Sequence, residues 1–389
     1  MAKAGDGRDM ADKTYDVIGI GNAIVDIIAR CDEGFLSKHD LAKGSMRLID
    51  ADEANRLYAS MGPAVERSGG SVANAIAGLA SFGAKCGFIG RVAADQFGGI
   101  FRHDIRSLGV AYDTLPADGA PTARCLILVT PDGERTMNTF LGASVDFKPE
   151  DLDLALIGAA KIVYLEGYLF DRDEAKAAFR KAARAAKKAG AKVALTLSDA
   201  FCVDRHRKDF KALVREGADI VFANEKEITT LYQVNSFAEA AEAALKDCEM
   251  AVLTRSEAGS VIVAAGETIE ISAEEIPQVV DLTGAGDLYA AGFLYGLTYG
   301  ATLPVCGRLG SLAAGETIEI EAEPVSRVVD LTGAGDLYAA GFLYGLTHGA
   351  KLTVCGRLGS LAAAEAIGHI GARPEISLHE LAKENGLIG

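Results

Sequence analysis

The sequence predicts an α/β fold in which helices flank a doubly wound, mostly parallel sheet and a small β-sheet forms a lid. From about residue 150, strand-like runs alternate with helical patterns, which is typical of a parallel sheet with crossover helices. Earlier in the chain, strand-like arms flank Pro131-Asp132-Gly133, the clearest hairpin signal in the sequence. Together with short strands before it, this hairpin predicts lid strands from about 27–50 and 122–141. The alternating strand-like runs lie at 161–166, 192–198, 218–223, 250–255 and 260–264.

The composition restricts the classes of function. The chain has 389 residues, 49% of them apolar, and a net charge of −15, which argues against nucleic acid or an anionic membrane as the main partner. We find no membrane-length apolar run and no signal peptide, so we expect a cytoplasmic protein. Seven scattered cysteines without a Cys-x-x-Cys pair indicate reduced thiols. We expect residues 1–14 to be a loose tail and 15–389 to form a single domain.

The first strand-like stretch, residues 15–26, ends in a Gly-Asn turn and carries Asp26 among Ile and Val residues. A carboxylate in an apolar run needs a partner or a ligand. Asp26 either faces solvent on an edge strand or accepts hydrogen bonds from a polyhydroxyl substrate.

A pair of glycines, Gly69 and Gly70, leads into an Ala-rich helix that carries Asn74 in its first turn. Asn74 would lie near a ligand held by the Gly-Gly turn, or it makes a local hydrogen bond at the helix start. Arg135, on the returning arm of the hairpin, either reaches an anion or is a solvated surface residue.

Polar residues follow two later strands. Asn224 and Glu227 are three residues apart at a helix start, where they share a face and suit a hydrated Mg²⁺ near phosphates. The alternative is an ordinary helix N-terminus with favourable acids. The segment from Thr254 and Arg255 to Gly259 ends another strand with a polar turn.

The motif Asp-Leu-Thr-Gly-Ala-Gly-Asp occurs twice, at 281–287 and 330–336. A small-residue turn that opens a helix presents free N–H groups to an anion, and an acid just inside it can accept a proton from an attacking hydroxyl. The alternative is a Gly-rich N-cap with an acid that favours the helix dipole. The predicted anion hole is Gly284, Ala285 and Gly286, or Gly333, Ala334 and Gly335, and the predicted bases are Asp287 and Asp336.

These motifs lie in a tandem repeat, because residues 265–313 and 314–362 align without a gap and differ at eight of 49 positions. A closed α/β fold needs one copy, so we interpret the repeat as a segmental duplication. We expect the copies to compete for one place, with the surplus residues extruded at a surface turn. The helix after the second copy continues without interruption, which favours the second copy, and so Asp336, as the working one.

In this order the motifs resemble the PfkB (ribokinase-like) family of carbohydrate and nucleoside kinases over about residues 15–380. The resemblance implies sugar binding by Asp26, Gly70 and Asn74, and a Mg²⁺/phosphate motif at Asn224 and Glu227. It also implies a nucleotide-binding turn from Thr254 to Gly259, and an anion hole with a catalytic base in the repeated motif. Leu282 departs from the Thr or Pro that the family often has there. Within the family, Gly-Asn-Ala-Ile-Val-Asp and Gly-Gly-Ser-Val-Ala-Asn are most similar to adenosine kinases and their bacterial relatives.

The resemblance implies a kinase that uses ATP and Mg²⁺ and phosphorylates a ribosyl or sugar hydroxyl, with adenosine as the favoured substrate. One alternative is a kinase of a free sugar such as ribose, fructose or a keto-sugar acid. Another is a nucleoside-binding protein whose site the duplication has damaged, and a dinucleotide-binding oxidoreductase is weaker still. A K⁺ requirement stays open, and we expect a monomer or homodimer.

Overall fold

The computed structural model describes residues 13–132, 134–273, 284–315, 338, 344–345, 350, 352–367 and 374–388. The chain forms two compact units, Met1–Gly315 and Glu316–Gly389. The boundary lies within two residues of the start of the second repeat at 314. A single domain over 15–389 stays a prediction.

The first unit contains thirteen described strands in two sheets. The larger sheet has eight strands in the order β13-β12-β11-β10-β9-β8-β1-β5; it is parallel from β5 to β11, and β12 and β13 are antiparallel. Its strands are β1 (Tyr15–Ile20), β5 (Cys86–Ile89), β8 (Ala160–Glu166), β9 (Lys192–Thr196), β10 (Ile220–Asn224), β11 (Met250–Thr254), β12 (Ser260–Ala264) and β13 (Glu267–Ile271).

The smaller sheet has five strands in the order β3-β7-β6-β2-β4 and confirms the predicted lid. Its strands are β2 (Ile24–Arg30), β3 (Met46–Leu48), β4 (Ala64–Gly69), β6 (Ala123–Val129) and β7 (Arg135–Phe140). The prediction missed β4, which pairs antiparallel with β2. Asp26 lies opposite Arg67 of β4 and Cys125 of β6, so it belongs to an internal strand of the lid and not to an edge.

Helices cover both faces of the larger sheet. Most begin at a side chain that accepts from the first turn, such as Asp95 at α4 and Asp199 at α7, because that oxygen satisfies an N–H with no helical partner. The helices of the first unit are α1 (Glu33–Lys38), α2 (Ala51–Ser60), α3 (Ser71–Ser81), α4 (Gln96–Ser107), α5 (Leu154–Gly158), α6 (Asp173–Lys188), α7 (Ala200–Glu216), α8 (Glu225–Tyr232), α9 (Phe237–Asp247), α10 (Ala285–Thr298) and α11 (Leu303–Gly315). Short 3-10 turns span Gly142–Asp146, Pro149–Asp151, Gly167–Asp171 and Ser256–Ala258.

Alternating residues of the parallel strands feed two apolar cores, one on each face of the sheet. Ile162 and Tyr164 of β8 join the core beneath α3 and α10, whereas Val163 and Leu165 join the core beneath α6 to α9. Period-two alternation into two cores is what a doubly wound sheet requires. The predicted fold class is therefore confirmed.

In the second unit, the described helices are α12 (Leu352–Ile367) and α13 (Leu378–Glu384). Gly345 lies against Cys355 and Leu358, since a side-chain carbon added at Gly345 would come within 3.0 Å of the Cys355 Sγ. Within the described ranges of both units, every helix is too short or too polar to cross a bilayer.

Candidate active site

The carboxylate of Asp287 lies at the start of α10 and is held by the first turn of α3. The Ser71 Oγ donates to its Oδ1 at 2.7 Å, and the Asn74 Nδ2 donates to its Oδ2 at 3.1 Å. Ser71 and Asn74 share one face of α3 because they are three residues apart. All three side chains are half-buried, so the carboxylate is fixed and still open to a ligand.

Small residues bring α10 close enough to α3 for these contacts. A side-chain carbon added at Gly78 would come within 2.9 Å of the Leu288 Cδ2 and 3.0 Å of the Ala291 Cβ. Any larger residue at Gly78 would push α10, and Asp287 with it, away from Asn74.

Burial raises the pKa of Asp287 to about 6, and the hydrogen bonds from Ser71 and Asn74 oppose that rise. The carboxylate is therefore ionised at neutral pH, yet its basicity is closer to the working pH than that of an ordinary aspartate. This combination suits a group that accepts a proton during a reaction.

The predicted anion hole of the first copy forms the N-terminus of α10. Gly284 adopts a left-handed conformation with φ +78°, which a side chain would disfavour, and it precedes Ala285 at the helix start. A carbon added at Gly286 would meet no atom within 4 Å, so this turn faces open space. The N-terminus of this 14-residue helix is thus uncovered at Gly286, and a helix start of this kind suits an anion.

The preference for the second copy stays a prediction, because only the first motif can be placed in the structure. The first-copy Asp287 occupies the place beside Asn74, whereas Gly333, Ala334, Gly335 and Asp336 lie outside the described residues. The first copy is joined directly to the larger sheet: β13 is the first strand of the repeat and pairs with β12, and Gly307 of α11 packs against Ile262 and Ile271 of this hairpin.

The lid brings Asp26 into the electrostatic field of the same site. Burial raises the pKa of Asp26 to about 6, the Arg135 guanidinium lowers it, and the Asp287 charge raises it. Gly69 lies directly against the Asp26 carboxylate, where a side-chain carbon would collide with it. Gly70, with φ +110°, lies against the Asn22 carbonyl in the same way. The Asp26 carboxylate thus lies against Gly69 and within the electrostatic reach of Arg135 and Asp287, and Asn74 contacts the same Asp287.

The predicted nucleotide residues lie at the carboxyl ends of two neighbouring strands, where Asn224 of β10 is opposite Thr254 of β11. Asn224 and Glu227 form a capping box: the Asn224 N–H donates to Glu227 at 3.0 Å, and the Glu227 N–H donates to Asn224 at 2.9 Å. The pair thus forms a helix N-terminus, which is the alternative that the sequence left open for it. Burial raises the pKa of Glu227 to about 7, and the Asp199 and Asp287 charges contribute to the rise.

Arg255 and Gly259 shape the turn after β11. The Arg255 Nε donates to Glu225 at 3.2 Å, and its guanidinium lies 4.4 Å from the centre of the Phe237 ring. Gly259 has φ +81°, and its backbone lies against the Ile271 carbonyl, which leaves no room for a side chain.

A Mg²⁺ ion fits this end of the sheet only through water. Both Glu227 oxygens accept hydrogen bonds from Asn224, and no group of three or more potential metal ligands occurs in the described part of the chain. Mg²⁺ keeps several waters when it binds with phosphates, so the pair suits a hydrated ion.

Two residues of the site were missed from sequence. Ser71 holds Asp287, and its position three residues before Asn74 was the available signal. Glu166 ends the buried strand β8 and accepts from the Asn22 Nδ2 and the Val72 N–H at 2.7 and 2.9 Å. The signal for Glu166 was the one used for Asp26, a carboxylate at an apolar run.

Comparison with known proteins supports the resemblance seen in the motifs. The profile of the pfkB family of carbohydrate kinases matches residues 45–322 and 312–378. A 5-dehydro-2-deoxygluconokinase from Listeria monocytogenes is 27% identical over 314 residues, with 78% of this chain and 90% of that protein covered.

Two crystal structures cover nearly the whole chain. An adenosine kinase from Sinorhizobium meliloti is 46% identical, with a TM-score of 0.72 and coverage of 95% of this chain and 99% of its own. A probable sugar kinase from Rhizobium etli is 45% identical, with a TM-score of 0.69 and coverage of 97% and 100%. Two relatives with almost the same sequence identity to this chain are thus named for different acceptors.

Proposed function

Because the chain belongs to the pfkB family of carbohydrate kinases, we propose that it transfers the γ-phosphoryl group of ATP to the 5′-hydroxyl of adenosine. The observation that carries the proposal is the Asp287 carboxylate, held by Ser71 and Asn74 at the open N-terminus of α10. Kinase chemistry of this kind needs a positioned proton acceptor next to donors for a charged phosphoryl group.

In this proposal each part of the chain has a distinct task. Asp287 accepts the proton of the attacking hydroxyl, and the N–H groups at Gly284, Ala285 and Gly286 stabilise negative charge on the transferred group. Asp26 accepts hydrogen bonds from ribose hydroxyls, with Arg135 as its neighbouring cation. ATP supplies the phosphoryl group. Asn224 and Glu227 would hold a hydrated Mg²⁺, which would offset phosphate charge when bound.

The lid favours a nucleoside over a free sugar. Ile24 and Ile28 lie on the same face of β2 as Asp26, because alternate residues of a strand share a face, and both are half-buried. Met137 of β7 is also half-buried, and it pairs with Ile127, which in turn pairs with Ile28. An apolar surface beside the hydroxyl-binding carboxylate suits the flat base of a nucleoside. The relative from Sinorhizobium meliloti, an adenosine kinase, agrees with this choice.

The decisive experiment measures ADP release with Mg-ATP and a panel of adenosine, other nucleosides, ribose and fructose. We expect strong turnover with adenosine. Turnover with a free sugar alone would show that the acceptor is a sugar while the phosphoryl-transfer chemistry stands. No turnover with any acceptor, from a folded sample, would reject the proposed function. Asp32→Asn is a matched control, because Asp32 caps the remote helix α1 and Asn is an equally good cap.

A further inference from the structure

Glu166 is a buried carboxylate for which the proposed chemistry has no use. Its side chain is 1% exposed, at the carboxyl end of β8. Its Oε1 accepts from the Asn22 Nδ2 at 2.7 Å and its Oε2 accepts from the Val72 N–H at 2.9 Å. Because both oxygens are engaged by the protein and removed from solvent, Glu166 does not compete for a substrate hydroxyl.

The carboxylate joins three separate parts of the chain. Glu166 belongs to β8, Asn22 to the link between β1 and β2, and Val72 to the first turn of α3. A side-chain carbon at Gly21 would collide with the Glu166 Oε2, so the link is packed directly on this carboxylate. Gly70 is packed in turn on the carbonyl of Asn22.

Two of these parts carry the groups that act on the substrate in the proposed function. Val72 directly follows Ser71, whose Oγ donates to Asp287, and it lies in the same helical turn as Asn74. Asn22 precedes β2, the strand that carries Asp26. A shift of Glu166 would therefore move the holder of the base and the hydroxyl-binding strand together.

We propose that Glu166 is a positioning residue, whose two hydrogen bonds fix the first turn of α3 and the β1–β2 link so that Asp287 and Asp26 face one substrate. The inference rests on the proposed function in its assignment of Asp287 and Asp26. Its physical content is that a side chain whose two oxygens are buried against two donors holds those donors more rigidly than packing alone.

The test compares two substitutions of Glu166. Glu166→Leu leaves the Val72 N–H and the Asn22 amide without their acceptor in a buried place. Glu166→Gln keeps one oxygen for Val72, and its amide finds an acceptor when the Asn22 side chain turns over, because the Asn22 Oδ1 is buried without a hydrogen-bond partner among the described residues. The second substitution should therefore rescue what the first one loses.

We expect Glu166→Leu to lower kcat by about 100-fold, the effect of a misplacement on the order of 1 Å, with KM for ATP changed less than about threefold. Glu166→Gln should stay within about fivefold of the wild type. Hydrogen exchange followed by mass spectrometry should be faster in peptides that cover 69–76 of Glu166→Leu, and unchanged in α9 of the same protein.

The exchange measurement needs no turnover, so it remains informative if adenosine is not the substrate. Slow exchange in 69–76 together with normal kcat in Glu166→Leu would overturn the inference. Equal loss of kcat in both variants would also overturn it, because the charge itself would then be required. Should Glu166→Leu fail to fold, Asn22→Leu removes the donor to the Glu166 Oε1 instead; kcat should fall in the same direction, and an unchanged kcat would overturn the inference.

Discussion

The described residues of the two repeats, 265–313 and 314–362, share a glycine–cysteine contact, but an equivalent tyrosine differs in exposure between them. Gly296 lies against Cys306 in the first repeat, and Gly345 lies against Cys355 in the second, with the same 3.0 Å approach to sulfur. Tyr289 is 4% exposed, whereas its equivalent Tyr338 is 36% exposed. The repeated sequence therefore gives the same local glycine–cysteine contact in both copies, whereas the exposure of the equivalent tyrosines depends on what surrounds them.

Two elements outside the first repeat, α3 and β12, bury its outer face. Leu288 and Ala291 pack against Gly78 of α3. The Tyr289 hydroxyl forms a 2.6 Å hydrogen bond with the Ser260 hydroxyl of β12. Ile262 of β12 packs against α11. Because β12 precedes the first repeat directly, that copy reaches these partners through the shorter connection, and the shorter connection closes at the lower entropic cost.

The largest predicted effect separates the two copies by their carboxylates. Asp287→Asn should lower kcat with adenosine by about 10³-fold, since the group that accepts the proton is lost. Asp336→Asn should change kcat by less than about twofold, because Asp287 is the carboxylate held by Ser71 and Asn74. Steady-state ADP release measures both, with Asp32→Asn as the control.

The reverse pattern, with Asp336→Asn inactive and Asp287→Asn active, would show that the second copy works in solution. Partial losses in both single variants, and complete loss in the double variant, would show that both copies serve the reaction. Either outcome would contradict the prediction that turnover depends on Asp287 and not on Asp336.

The next effect is a pH dependence that belongs to the first copy. The raised pKa of Asp287, about 6, predicts that kcat/KM falls about tenfold per pH unit below that value, because the protonated acid accepts no proton. Asp336→Asn should leave this acid limb unchanged. An acid limb that moves in Asp336→Asn would assign it to the second repeat.

Stability should follow pH in the opposite direction. A carboxylate with a folded pKa above its unfolded value of 3.8 contributes stability that is fully present below that value and is lost as pH rises through about 6. Burial also raises the pKa values of Asp26, Glu166 and Glu227, to between about 6 and 7. Urea unfolding of the free protein between pH 4 and 8 should therefore show stability falling while turnover rises.

Much of the fold and site could be predicted because the signals are local. The strand–helix alternation located the larger sheet, and the hairpin at Pro131-Asp132 located β6 and β7. The spacing of Asn224 and Glu227 predicted both a shared face and a helix start. Asn74 and Asp287 were each singled out from a Gly-rich helix entry, and the structure joins them.

The missed features depend on contacts between distant parts of the chain. β4 reads Ala-Val-Glu-Arg-Ser-Gly, which alone is a weak strand signal, and its pairing with β2 makes it one. Glu166 acquires its role through Asn22 and Val72, which are 144 and 94 residues away. Two nearly identical sequences do not show which copy works, because that choice depends on packing against distant parts of the chain.

The smallest predicted effect tests the surroundings of the equivalent tyrosines. Tyr289→Phe removes a hydroxyl that is buried against Ser260, itself 1% exposed, and should lower the free energy of unfolding by about 1–2 kcal/mol. Tyr338→Phe should cost less than Tyr289→Phe, because the Tyr338 side chain is 36% exposed and water can replace part of what its hydroxyl loses. Urea denaturation of both variants measures the difference, and Ser260→Ala should reproduce most of the first loss without adding to it in a double mutant. Equal losses of unfolding free energy in the two variants would mean that Tyr289 and Tyr338 are equally buried in solution.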